Sequence, residues 1–140
     1  MSVTINIAGD FCVTAPFVNK QLITDGVKEV FNSSCINIVN LECPVNKNGD
    51  QFKIIKHGPH LQTNEHIFNH LKLLNITAVT LANNHVLDYG APALNDTLAE
   101  CKKNNIASVG VGKNLQEASH FTVIEKDGCR VALVNFCENE

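Results

Sequence analysis

Two hydrophobic rhythms alternate along this chain. Short, nearly continuous apolar runs rich in Val and Ile occupy residues 3–8, 36–41, 78–82 and 108–111, each bounded by polar residues or glycine. Strands buried on both faces of a parallel sheet read this way, because no position has to turn toward water. Between them the apolar positions recur at helical spacing. Residues 19–31 carry Leu22, Ile23, Val27, Val30 and Phe31; residues 64–74 carry Ile67, Phe68, Leu71 and Leu74. Residues 91–103 carry the stripe Leu94, Leu98 and Cys101 and end in Lys102-Lys103, which suits the negative end of a helix dipole. Strand alternating with helix predicts right-handed βαβ crossovers and an α/β layered sandwich with flanking helices. Near the end, residues 121–125 and 129–135 flank Lys126-Asp127-Gly128. An Asp-Gly turn between strand-like runs predicts a hairpin. The expected sheet is therefore mostly parallel but mixed, with an antiparallel edge. Residues 43–59, with Pro, Gly and mixed polar side chains, read as one long surface loop.

In an open α/β sheet, ligands bind beyond the C-terminal ends of the strands. Here the first strand runs into Ala8-Gly9-Asp10, the second into Asn40-Leu41-Glu42 and the third into Asn83-Asn84-His85. A single polar residue after a strand commonly caps a helix or forms a turn. Three successive strands that deliver ligand-type residues to one edge carry the inference together. Carboxylates, an amide oxygen and an imidazole suit a hard to borderline divalent cation such as Mn, Mg, Fe or Zn.

Composition narrows the surroundings of such a site. The 140 residues predict one domain, 1–140. The formal net charge of −3, with 44% hydrophobic and 18% charged residues, fits a folded chain and gives no electrostatic reason to expect nucleic acid or an anionic membrane as partner. No apolar run approaches the roughly 20 residues of a membrane span. The start, Met1-Ser2-Val3-Thr4-Ile5, lacks the basic and long apolar stretches of a signal peptide, so the expected location is cytoplasmic. Cys12, Cys35, Cys43, Cys101, Cys129 and Cys137 show no close pairing and no C-x-x-C spacing. Several lie in apolar runs. They read as reduced, mostly buried thiols in a reducing compartment.

Longer motifs add a resemblance. Asn40-Leu41-Glu42-Cys43-Pro44, Gly58-Pro59-His60-Leu61, Leu81-Ala82-Asn83-Asn84-His85-Val86-Leu87-Asp88-Tyr89-Gly90 and Val109-Gly110-Val111-Gly112 resemble the poly-γ-glutamate capsule biosynthesis proteins of the CapA type. That family is similar in turn to the calcineurin-like metallophosphoesterases, sandwiches with a dinuclear metal centre. The resemblance implies Asp10 as a ligand of the first metal and Glu42 in the place of the bridging carboxylate. It implies Asn84 as a metal ligand and His85 as the residue that contacts the scissile group. Such a centre would lower the pKa of bound water and polarise a phosphoryl oxygen. Two positions depart from the phosphoesterase pattern. Cys12 stands where Asp-x-His has its imidazole, either as a thiolate ligand or as a structural thiol. Glu42 stands in Asn-Leu-Glu rather than as an Asp in Gly-Asp. The chain resembles the N-terminal half of that fold, with further His ligands expected from the other half. It is thus a fragment, a self-associating homo-oligomer, or a protein that binds no catalytic metal.

Asp88 has two readings, orienting the His85 imidazole or capping the helix that begins near Pro92. Asn83, His57 and His60 are candidates for substrate contact, the two histidines bracketing Gly58-Pro59 in the loop that the resemblance places near the site. His66 and His70, one helical turn apart, read as surface histidines, because Glu65-His66 makes no H-E-x-x-H motif. Gly110-Val111-Gly112-Lys113 lacks the remaining residues of a phosphate loop and reads as a strand-to-helix turn. The expected function is a metal-dependent, phosphoesterase-like site in capsule or poly-γ-glutamate biosynthesis, acting on an anionic polymer or a phosphoester. The alternative is a non-catalytic module that binds a polymer or a partner subunit in the same cleft.

Overall fold

Ile36–Leu41 (β2) is the centre of the molecule, and its alternation decides the layers. Val39 and Leu41 point to one face with Val79 and Leu81, where they meet Ile67, Phe68, Leu71 and Cys101. Ile36 and Ile38 point to the other with Ala78, where they meet Ile124. The computed structural model describes residues 3–138; Met1-Ser2 and Asn139-Glu140, at the two ends of the expected 1–140 domain, lie outside them.

Four strands form one parallel sheet in the order β1 (Ile5–Phe11), β2, β3 (Ala78–Thr80), β4 (Ala107–Val109). Helices α1 (Asp25–Asn32), α2 (Ile67–Leu73) and α3 (Gly90–Lys103) connect them in turn, and the first core cluster gathers their apolar faces on one side of the sheet. The α/β architecture is thus as expected. The hairpin β5 (Thr122–Lys126) and β6 (Cys129–Leu133) pairs antiparallel as a sheet of its own and covers part of the opposite face through Ile124, Val131 and Leu133. A four-residue helix, α4 (Leu115–Ala118), precedes it, its Asn114 cap accepting from the Glu117 amide at 2.9 Å.

Several expectations change in detail. α1 starts at Asp25 rather than near residue 19, because the extended backbone of Thr24 interrupts the pattern. Residues 43–59 are not only surface loop: Cys43 and Val45 are fully buried, and a 3-10 turn spans Gly49–Phe52. This strap is tied to α3. The Val45 amide donates to Thr97 Oγ1 at 2.8 Å, and Lys47 Nζ pairs with the buried Glu100 carboxylate at 2.8 Å. That bond from Lys47, against the opposing effect of burial, holds the Glu100 carboxyl below its ordinary range. His70 is buried, not on the surface, with its Nε2 2.7 Å from the Val18 carbonyl. The buried Asn37 is a polar residue inside β2 made tolerable by its partners. Its amide reaches the Phe31, Leu74 and Asn75 carbonyls, and its oxygen accepts from Asn6 at 3.0 Å.

The cysteine reading is corrected. Cys12 and Cys43 are joined as a disulfide, with their Cα atoms 5.4 Å apart and a separation of 31 positions in sequence. Parallel pairing of Phe11 with Leu41 brings the ends of β1 and β2 together, which spacing along the chain conceals. Of the free thiols only Cys101 is buried, and burial pushes it up to about 12; Cys137 is exposed. Among the described residues no helix is long and apolar enough to cross a membrane.

Candidate active site

The turn between β3 and α3 is built before any chemistry is added to it. Asn135, arriving after β6, places its side-chain oxygen where a further strand would continue, accepting from the Leu81 amide at 3.1 Å and the Ala82 amide at 2.7 Å. Gly110, at φ +98, leaves room for that side chain; a Cβ there would collide with Asn135 and Ala82. Asn83 then faces back to β2. Its amide donates to Asn40 Oδ1 and to the Leu41 carbonyl, both at 3.1 Å, while its own oxygen accepts from the His85 amide at 3.0 Å. The turn closes with the Asp88 amide on the His85 carbonyl at 3.0 Å and with Gly90 at φ +67, so that α3 can begin.

These bonds set two buried side chains against each other. Asp88 is 0% exposed and His85 8%. The Asp88 carboxylate accepts from His85 Nδ1 at 2.8 Å, from the Leu61 amide at 2.7 Å and from Lys56 Nζ. Burial pushes the Asp88 carboxyl upward, but the hydrogen bonds from Lys56, His85 and Leu61 outweigh it and hold it below the ordinary carboxylate range. An ionised carboxylate can only accept, so His85 Nδ1 carries the hydrogen and the ring's free nitrogen is Nε2. The helix-capping reading of Asp88 is set aside: Tyr89 occupies the cap of α3, and no side chain bonds there.

Nε2 looks toward Glu42, whose Oε1 lies 3.8 Å away just beyond β2. Two acceptors at that separation are too far apart for a direct hydrogen bond. They define a position for a water that donates to both, a proton on the ring, or a cation. Asp10 stands apart from this pair: exposed at the end of β1, it accepts from Asn40 Nδ2 at 2.7 Å. Asn84 is exposed and, with Lys56, His57 and Asn83, lines a cleft of about 840 Å3. His60 does not join them, since its Nε2 lies 2.8 Å from the Ile54 carbonyl and its ring meets Tyr89 edge-on. Cys12 is bonded to Cys43 and is no thiolate ligand.

The donor set was tested against a divalent cation on this geometry. Glu42 and His85 converge, with Asp88 behind the imidazole as metal-bound histidines usually have it. Among the described residues, however, no three of His, Cys, Asp and Glu are arranged so that they could hold a metal ion together. A catalytic zinc takes three protein ligands. The pair falls short of that set. Lys56 and Asn135, which the sequence reading did not single out, bond to Asp88 and to the β3 turn. Lys56 lies in an aperiodic strap and Asn135 at the end of a hairpin run, and neither position carries a motif of its own.

The sequence profile described as "Bacterial capsule synthesis protein PGA_cap" matches residues 4–140. The chain belongs to the PGA_cap family. It is 34% identical over 113 residues to the PGA biosynthesis protein CapA of Bacillus subtilis (strain 168), covering 80% of this chain and 30% of that protein. To the capsule biosynthesis protein CapA of Bacillus anthracis it is 33% identical over 79 residues, 56% of this chain and 19% of the relative. The chain thus spans less than a third of the PGA_cap relatives it matches.

Proposed function

We propose that the strand-end cleft is a hydrolytic site of phosphoesterase type within a protein of capsule or poly-γ-glutamate biosynthesis. One observation carries this reading: His85 is held through Nδ1 by an ionised, buried Asp88, leaving Nε2 directed at Glu42. A water between Glu42 and Nε2 would attack phosphorus, giving its proton to Nε2. The alkoxide would depart opposite the attacking oxygen and take its proton from solvent, and Nε2 would afterwards release its own proton to solvent. Asp88 stabilises the transient imidazolium, and Lys56 holds Asp88. Asn83, Asn84 and His57 would meet the phosphoryl oxygens. The metal-dependent form of the reaction requires donors besides Glu42 and His85, with Asp10 and Asn84 as the candidates that the family pattern offers. The proton transfer to Nε2 uses the chain's own residues.

The test is turnover of bis(p-nitrophenyl) phosphate by the purified protein in Mn-supplemented buffer. His85→Ala should lower the rate by about 10²–10⁴-fold, the range of a positioned acid–base group. An unchanged rate overturns the assignment. The pairwise donor set favours a second reading, a non-catalytic module that binds a polymer or a partner in the same cleft. That reading predicts no turnover by the unsubstituted protein and no transition metal by elemental analysis.

A further inference from the structure

The Cys12–Cys43 disulfide stands at one end of a line of hydrogen bonds whose other end is His85. β1 is an edge strand whose pairing with β2 reaches Phe11 and Leu41, and beyond it the Glu42 amide donates to the Phe11 carbonyl at 3.2 Å. The next residue on each side is a cysteine, so the crosslink closes the pair of strands. Upstream, the register slips between Ile7 and Asp10. Asp10 and Phe11 are thus the strand residues that lie between the slip and the crosslink.

Asp10 passes this restraint inward. Asn40 Nδ2 donates to its carboxylate at 2.7 Å. A carboxylate accepts and does not donate, so that bond decides which way the Asn40 amide is turned. Asn40 Oδ1 is thereby presented to Asn83, whose Nδ2 donates to it at 3.1 Å, and Asn83 Oδ1 accepts from the His85 amide at 3.0 Å. Asn83 has a second anchor on the Leu41 carbonyl at 3.1 Å, so a turned Asn40 shifts the β3 turn without releasing it.

The two half-cystines are unlike: Cys12 is exposed and Cys43 fully buried. We infer that Cys12 is a thiol-exchange site through which a dithiol reductant resets the His85 turn, by freeing the β1 end and the Asp10–Asn40–Asn83 line with it. One thiolate of the dithiol attacks Cys12 Sγ, and the bond to Cys43 breaks. Cys43 leaves with the electron pair and takes a proton, while the reductant remains on Cys12 as a mixed disulfide. The second thiol then displaces Cys12, and the reductant departs as its own disulfide, having given two electrons. Burial makes Cys43 the poorer leaving group, yet access leaves no other order of attack. The exchange site stands on the disulfide alone; its effect on turnover rests on the hydrolytic reading above.

Two measurements on the full chain test this. Brief exposure of the folded protein to reduced glutathione, quenched with N-ethylmaleimide, should leave glutathione on Cys12 and maleimide on Cys43 by peptide mass spectrometry. Glutathione on Cys43, or a disulfide that opens only in denaturant, overturns the exchange site. In amide NMR spectra, dithiothreitol should shift the His85 backbone amide and the Asn40 and Asn83 side-chain amides. Cys12→Ser should show the reduced-state His85 resonance without reductant and no further response to it. Asn40→Ala should still be reduced, but its His85 should no longer respond. A His85 amide unmoved by reduction, or still moved in Cys12→Ser or Asn40→Ala, overturns the coupling. Turnover of the phosphodiester should fall about 2-fold to 30-fold on reduction, the range of a coupled network. Failure of the hydrolytic reading would appear instead as no turnover in either redox state while the His85 shift persists.

Discussion

The turn after β3 and the end of β1 bring carboxylates to the same edge of the sheet and hold them in opposite ways. Asp88 is sealed from water, accepts from three donors on two segments, and fixes a histidine. Asp10 stands in solvent with one amide partner, on an edge strand whose register slips between Ile7 and Asp10. A side chain with many fixed partners can serve as a reference point for chemistry, whereas an exposed one on a slipped edge is free to adapt. Within one sheet edge, then, the β3 turn is preorganised and the β1 end is adjustable.

Substitutions can break this contrast, the strongest first. Asp88→Ala removes the acceptor for a half-buried ammonium and a buried imidazole and should cost about 3–5 kcal/mol in urea unfolding. Asp10→Ala should stay within about 0.5 kcal/mol; equal losses at the two positions would erase the distinction. Lys56→Met leaves Asp88 with two donors and should cost about 1–3 kcal/mol. Acid should find the same residue. The Asp88 carboxyl is held below its ordinary value in the folded protein, so its stabilisation is complete above the unfolded carboxylate pKa, about 3.9. It is lost as pH falls through the folded value. Asp88→Asn should therefore flatten the stability profile below about pH 4, and an unaltered slope would count against the buried ion pair. The smallest effect concerns what restrains the β1 end. Denatured, unreduced protein should titrate as the four thiols Cys35, Cys101, Cys129 and Cys137, with Cys12 and Cys43 appearing only after reduction. Six thiols without reductant would leave β1 untethered.

Much of this was legible in the chain, for a physical reason. Parallel strands buried on both faces must be apolar throughout, so Ile36 to Leu41 and Ala78 to Thr80 announce themselves. Strand ends are fixed points, so Glu42, Asn83 and His85 could be assigned to one edge. What stayed hidden depends on contacts that no periodicity encodes. Lys56 reaches Asp88 from a strap tied down by Val45 and Lys47 to Thr97 and Glu100 and by the Ile54 amide to the Asp88 carbonyl. Cys12 meets Cys43 through strand pairing, and His70 is buried by a bond to a loop carbonyl at Val18. Asn37 would be expected to spoil a strand, yet it links α1 and α2 to the sheet.

The strand order has a consequence for how the molecule comes into being. Each strand of the parallel sheet pairs with the one made just before it, β2 on β1, β3 on β2 and β4 on β3. No strand waits for a distant segment to slot between neighbours already in place. A chain emerging from the ribosome can therefore extend its sheet one βα unit at a time, and every pairing closes a loop of moderate length. The Asn135 side chain that fixes the β3 turn follows all four of these strands in the chain. Assembly of the scaffold and setting of the site are thus separated in time, with the turn that orients His85 completed only after the four parallel strands and the hairpin are made.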